Sequence, residues 1–136
     1  MVAAGTYTIT LSRPNSLLTV PSAGERAMLL GPEDEGQQWD IRAGDSDDTY
    51  VIKSTFGEYY LGYEGDAANH VQLTGTPNAT AWKINAADDG KYGIIAAADD
   101  NWVASQGFAK VFPAMVTLLS KDMAYPPTSQ WALNKV

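Results

Sequence analysis

Side chains able to move protons, attack carbonyls or hold metals are sparse in this sequence of 136 residues. It has one histidine, His70, and no cysteine, which rules out thiol catalysis, disulfides, Cys-based zinc sites and a His pair for a metal. A single His at the start of a strand reads as a rim or loop residue, not as the base of a Ser–His relay. Carboxylates are plentiful, but Asp45, Asp47, Asp48, Asp88, Asp89, Asp99 and Asp100 fall in turn-like runs. Solvated hairpin tips explain them more simply than paired acid–base groups or calcium ligands do. No glycine loop of the phosphate-cradling kind occurs. The expectation is a protein that is not an enzyme and takes no cofactor or metal. Among the aromatics, Trp39, Trp82 and Trp131 recur at one place in a repeat, as core layers do. Trp102 has no Trp counterpart, and Asp100-Asn101-Trp102 is a candidate sugar-stacking patch, beside the plainer reading of a partly buried ring.

The elements that must position these residues come in three copies. Gly5-Thr6-Tyr7-Thr8-Ile9, Asp48-Thr49-Tyr50-Val51-Ile52 and Gly90-Lys91-Tyr92-Gly93-Ile94 each place an aromatic and an Ile two apart, on one face of a strand. Trp39-Asp40-Ile41, Trp82-Lys83-Ile84 and Trp131-Ala132-Leu133 close the units. Tyr7 to Trp39 and Tyr50 to Trp82 are both 32 residues, and Tyr92 to Trp131 is 39. Inside each unit an aliphatic follows the Tyr by eleven residues, at Leu18, Leu61 and Val103. The third strands read Met28-Leu29-Leu30, Val71-Gln72-Leu73 and Val116-Thr117-Leu118. Turn residues such as Pro21-Ser22-Ala23-Gly24 and Thr76-Pro77-Asn78 punctuate the chain about every ten residues, and no window sustains a helical period. Twelve short strands in three units, about 5–47, 48–89 and 90–136, imply one all-β domain over 1–136 with no helix. A chain of this size buries roughly 68–70% of its unfolded surface, so it needs no disulfide staple.

Charge narrows the partners. The net charge is −7 and the pI about 4.4, so a phosphate backbone is repelled and no basic stripe offsets this. No stretch approaches the roughly 20 apolar residues of a membrane span. The opening residues carry neither a basic segment nor a long apolar run, so the expectation is a cytoplasmic protein with no nucleic-acid or membrane partner.

Three four-strand units, each with an early aromatic and a Trp on the last strand, resemble the β-trefoil, in which six strands close a barrel and three hairpins cap it. Within that architecture, ricin-B-type lectins carry Gln-x-Trp in each repeat; Gln37-Gln38-Trp39 matches, whereas Thr80-Ala81-Trp82 and Ser129-Gln130-Trp131 do not. The opening Gly5-Thr6-Tyr7-Thr8-Ile9, the Trp-x-Ile/Leu endings, Asn101-Trp102-Val103 and Tyr125-Pro126-Pro127 are similar to the mushroom β-trefoil serine protease inhibitors of the cospin type. Gln37-Gln38 also resembles the fourth strand of the mycocypins, trefoil inhibitors of cysteine proteases.

The cospin-type resemblance implies a fungal defence protein that inhibits a trypsin-like serine protease through the loop between the second and third strands. That loop is Pro21 to Ala27, with Gly24, Glu25, Arg26 and Ala27 as the protease-binding residues. A rigid barrel would hold it preorganised, so little ordering entropy is lost on binding. Arg26 would reach an acidic specificity pocket and form a bidentate pair. Lys110, in the longer loop of the third unit, is the alternative reactive residue, and Arg13 is disfavoured by the Pro14 that follows it. The competing function is glycan binding at Asp100, Asn101 and Trp102.

Overall fold

The computed structural model describes residues 2–11, 16–32, 35–87, 90–108, 113–124 and 126–136. Its strands are β1 (Gly5–Thr10), β2 (Leu17–Thr19), β3 (Met28–Leu30), β4 (Trp39–Ala43), β5 (Tyr50–Ser54), β6 (Tyr60–Gly62), β7 (Thr74–Thr76), β8 (Trp82–Ala86), β9 (Tyr92–Ala96), β10 (Trp102–Gln106), β11 (Val116–Ser120) and β12 (Ala132–Lys135). A one-turn helix, α1 (Pro126–Ser129), precedes β12, where the sequence pattern predicts no helix.

Six strands pair into a ring: β1 with β4, β4 with β5, β5 with β8, β8 with β9, and β12 with β1. The ring closes where Tyr92 and Trp131 exchange both main-chain hydrogen bonds, each 2.8 Å. Closure leaves the wall without an edge strand. The hairpins β2–β3, β6–β7 and β10–β11 cap one end. This is a β-trefoil.

The landmark residues build its core. Tyr7 faces Trp39 across β1–β4, Tyr50 faces Trp82 across β5–β8, and Tyr92 faces Trp131. All three tryptophans are fully buried, as are Ile9, Ile52 and Ile94. A buried indole N–H needs an acceptor. Trp39 donates to the carbonyl of Leu18 at 3.1 Å, Trp82 to Leu61 at 2.9 Å and Trp131 to Ala104 at 3.0 Å. Each bond ties a wall strand to the second strand of its own unit.

The pseudo-threefold axis passes through a triangle of main-chain bonds. Ala27 N–H donates to Leu73 O (2.8 Å), Leu73 N–H to Val116 O (3.0 Å) and Val116 N–H to Ala27 O (3.0 Å). The Gln72 side-chain amide sits among the same carbonyls, donating to Ala27 O (3.1 Å), Leu73 O (2.9 Å) and Val116 O (2.7 Å).

Two registers differ from the sequence expectation. The third strand of the second unit is Thr74–Thr76, and Val71-Gln72-Leu73 runs to the axis instead. Gly75 faces Leu61 as Leu29 faces Leu18 and Leu118 faces Ala104. Matching apolar residues picks Leu73, because Gly75 offers no side chain to match. The missing side chain is replaced by the buried ring of Tyr59: a Cβ on Gly75 would stand 2.8 Å from Tyr59 Cδ2. In the third unit, Ala104 and not Val103 is the counterpart of Leu18 and Leu61, because the turn before β10 holds one more residue.

Candidate functional site: the turn before β10 and its neighbours

The loop expected to enter a protease is compact. Glu25 N–H donates to Ser22 O at 3.1 Å, and Gly24 has φ +81°, so residues 22–25 form a type II turn that requires Gly at its third place. Gly24 N–H donates to Gly75 O (2.8 Å), Glu25 O accepts from Gly75 N–H (3.0 Å), and Arg26 bridges Thr74. Ala27 is fully buried and gives both its main-chain groups to the axis. The side chains of Glu25 and Arg26 are exposed, and among the described residues Arg26 has no ion-pair partner. Its cation is accessible while the main chain around it is committed to the neighbouring unit. Lys110 and Arg13 lie outside the described residues.

The other expected residues separate. His70 is exposed at φ +70° with its ring edge-on to Phe108, centroids 5.6 Å apart. Asp47, Asp48 and Asp100 line a groove with Tyr50, Lys83 and Asn85. Among the described residues no group of three or more carboxylate or imidazole side chains is arranged to hold a metal ion. Asp88 and Asp89 lie outside the described residues.

Trp102 gathers the chemistry. It opens β10 half-buried, with part of its ring packed on the core. Its indole N–H donates to Asp99 Oδ2 at 3.2 Å, while Asp99 Oδ1 accepts from Asn101 N–H at 3.1 Å and Asp99 O from Trp102 N–H at 3.2 Å. The carboxylate therefore folds the turn and pins the ring. Each oxygen keeps a further lone pair, because a carboxylate offers about four acceptor sites. Asp100 and Asn101 stand exposed on the same turn, and Asn101 O accepts from Lys121 N–H at 2.9 Å.

Another partly buried ring belongs to the preceding unit. Tyr63 packs edge-on to Trp82, centroids 5.9 Å apart, and lines a groove with Glu64, Pro77, Asn78 and Thr80. Burial pushes the Tyr63 phenol up, and the negative charge of Asp99 adds to the rise. The sequence reading selects Asp100, Asn101 and Trp102 for the patch but leaves Asp99 among the turn carboxylates. The spacing Asp-x-x-Trp is a usable signal for Asp99.

Gln37 of the single Gln-x-Trp match is buried, with its amide donating to Thr19 Oγ1 (3.3 Å) and to Gly31 O. It holds the β2–β3 hairpin.

No family model matches the sequence, and no curated protein matches it. Solved structures do. The agglutinin of Rhizoctonia solani superposes with a TM-score of 0.86 at 18% identity, covering 100% of this chain and 98% of that one. The Macrolepiota procera ricin B-like lectin, solved in complex with lactose, gives 0.81 at 19% identity, covering 100% and 99%. The designed three-fold symmetric protein ThreeFoil gives 0.82 at 17%, covering 97% and 99%. At these identities the likeness shows the shared β-trefoil fold.

Proposed function

We propose that this chain is a carbohydrate-binding β-trefoil protein whose site is the Trp102–Asp99 patch. The observation that carries the reading is a half-buried indole whose N–H is held by an exposed carboxylate with acceptor capacity to spare. The apolar C–H face of a pyranose stacks on such a ring, and its hydroxyls donate to the carboxylate. Pinning the ring beforehand removes part of the ordering cost of binding. The fold supports the reading by analogy: two of the similar structures are a lectin and an agglutinin.

Trypsin inhibition, which the cospin-type resemblance implies, is less well supported by the geometry. A substrate-mimicking loop offers its main chain for strand-like pairing with the protease. Here Gly24, Glu25 and Ala27 already pair with residues 73–75.

A glycan array with the purified protein, run beside a trypsin inhibition assay, separates the two. Glycan binding lost in Trp102→Ala and Asp99→Ala, with trypsin unaffected, is the expected result. Inhibition of trypsin that Arg26→Ala abolishes, with no glycan bound, overturns it.

A further inference from the structure

The three units place three different residues where Trp102 stands, and the surroundings decide what each becomes. The anchoring pairs Thr10–Leu17, Lys53–Tyr60 and Ile95–Val103 are equivalent, which makes Ser16, Tyr59 and Trp102 counterparts. The span is seven residues in the first two units and eight in the third.

In the second unit the ring turns inward. Tyr59 is 2% exposed, and its hydroxyl donates to Val20 O. It fits because Gly75 leaves the place that Leu29 and Leu118 fill elsewhere. The carboxylate of that turn, Glu58, is taken by Lys53 Nζ at 3.0 Å. In the first unit the position is Ser16, buried, with no ring to offer. In the third unit Leu118 occupies the interior place and the extra turn residue brings Asp99 to the indole N–H, so Trp102 remains at the surface.

We infer that the chain binds one glycan per molecule, at the Trp102–Asp99 patch, because the equivalent ring of the second unit, Tyr59, is buried in the core while its carboxylate Glu58 stays outside on Lys53, and the first unit has no ring there. This rests on the carbohydrate-binding reading and adds its valency. The exposed Phe56, on the second unit's turn, is the one rival aromatic in that unit's turn, and it has no N–H for a carboxylate to pin.

Isothermal titration of the intact protein with lactose, N,N′,N″-triacetylchitotriose and mannotriose, followed in parallel by tryptophan fluorescence, tests it. Trp39, Trp82 and Trp131 are fully buried, so a change in iodide quenching on binding reports Trp102. The expected result is one site per chain for whichever sugar gives heat, lost at least tenfold in affinity in Trp102→Ala and unchanged in Phe56→Ala. Two or three sites per chain, or one site that Phe56→Ala removes, overturns the single-site inference while leaving carbohydrate binding intact. No heat with any of the three sugars, together with a blank glycan array, overturns the carbohydrate reading itself and the valency with it.

Discussion

Replacing Gln72 by Ala removes a side chain that bonds all three carbonyls of the axial triangle. Its amide nitrogen has two protons for three carbonyls, at 2.7, 2.9 and 3.1 Å, so the net loss corresponds to about two hydrogen bonds. Each carbonyl keeps its main-chain donor from the triangle and is not orphaned. At roughly 0.5–1.5 kcal/mol per bond, the cost is about 1–3 kcal/mol. For a chain of this size that lowers Tm by about 4–10 °C, from an unfolding entropy near 2.1 cal/mol/K per residue. Urea denaturation followed by tryptophan fluorescence, with the slope m compared, measures it directly. Gln72→Glu sharpens the test, since it keeps the shape but aims a carboxylate at three carbonyl oxygens. That group is easier to protonate in the folded state than in the unfolded one. Its folded pKa is therefore raised, and the variant is closest to wild type at low pH and loses stability as pH rises through the carboxylate range. A Gln72→Ala protein within about 0.5 kcal/mol of wild type, or a Gln72→Glu protein with no pH dependence beyond that of wild type, would refute the view that this amide holds the three units together.

Three further outcomes follow from single positions. Gly36 has φ +81°, and a Cβ there would lie 2.1 Å from Val20 O, a main-chain atom that cannot step aside; Gly36→Ala should cost at least about 2 kcal/mol in chemical denaturation. Gly75→Ala should cost about 1–3 kcal/mol by crowding Tyr59 and Val20, and combining it with Tyr59→Leu should recover part of that loss in a double-mutant cycle. The Tyr63 phenol, raised by burial and then by Asp99, should titrate above its ordinary value in an NMR experiment on ring-labelled tyrosine, and Asp99→Asn should bring it down. Because the folded pKa is raised, Tyr63's contribution to stability is whole below the ordinary phenol value near 10 and is lost as pH climbs through the folded one.

The threefold repeat was legible in the residues, since a strand that buries one face must carry its large apolar side chains at every second place. Tyr7, Tyr50 and Tyr92 and the three buried tryptophans therefore mark the wall and its order in the chain itself. The third strand of the middle unit was not legible. Its inward position is a glycine, and the volume is supplied by Tyr59 from another strand, a substitution across space that leaves no period in the chain. The candidate site divides in the same way. Trp102 and its polar neighbours stood out as residues, but whether the ring faces solvent was decided by Leu118 filling the interior place opposite Ala104 and by one added residue in the turn. Arg26 shows the converse: the chain reads as an open loop, yet the main chain on either side of it, at Gly24, Glu25 and Ala27, is paired with residues 73–75. Local alternation is written in neighbouring residues; how a hairpin's interior is filled, and which of its main-chain groups stay free, depends on residues that only folding brings together.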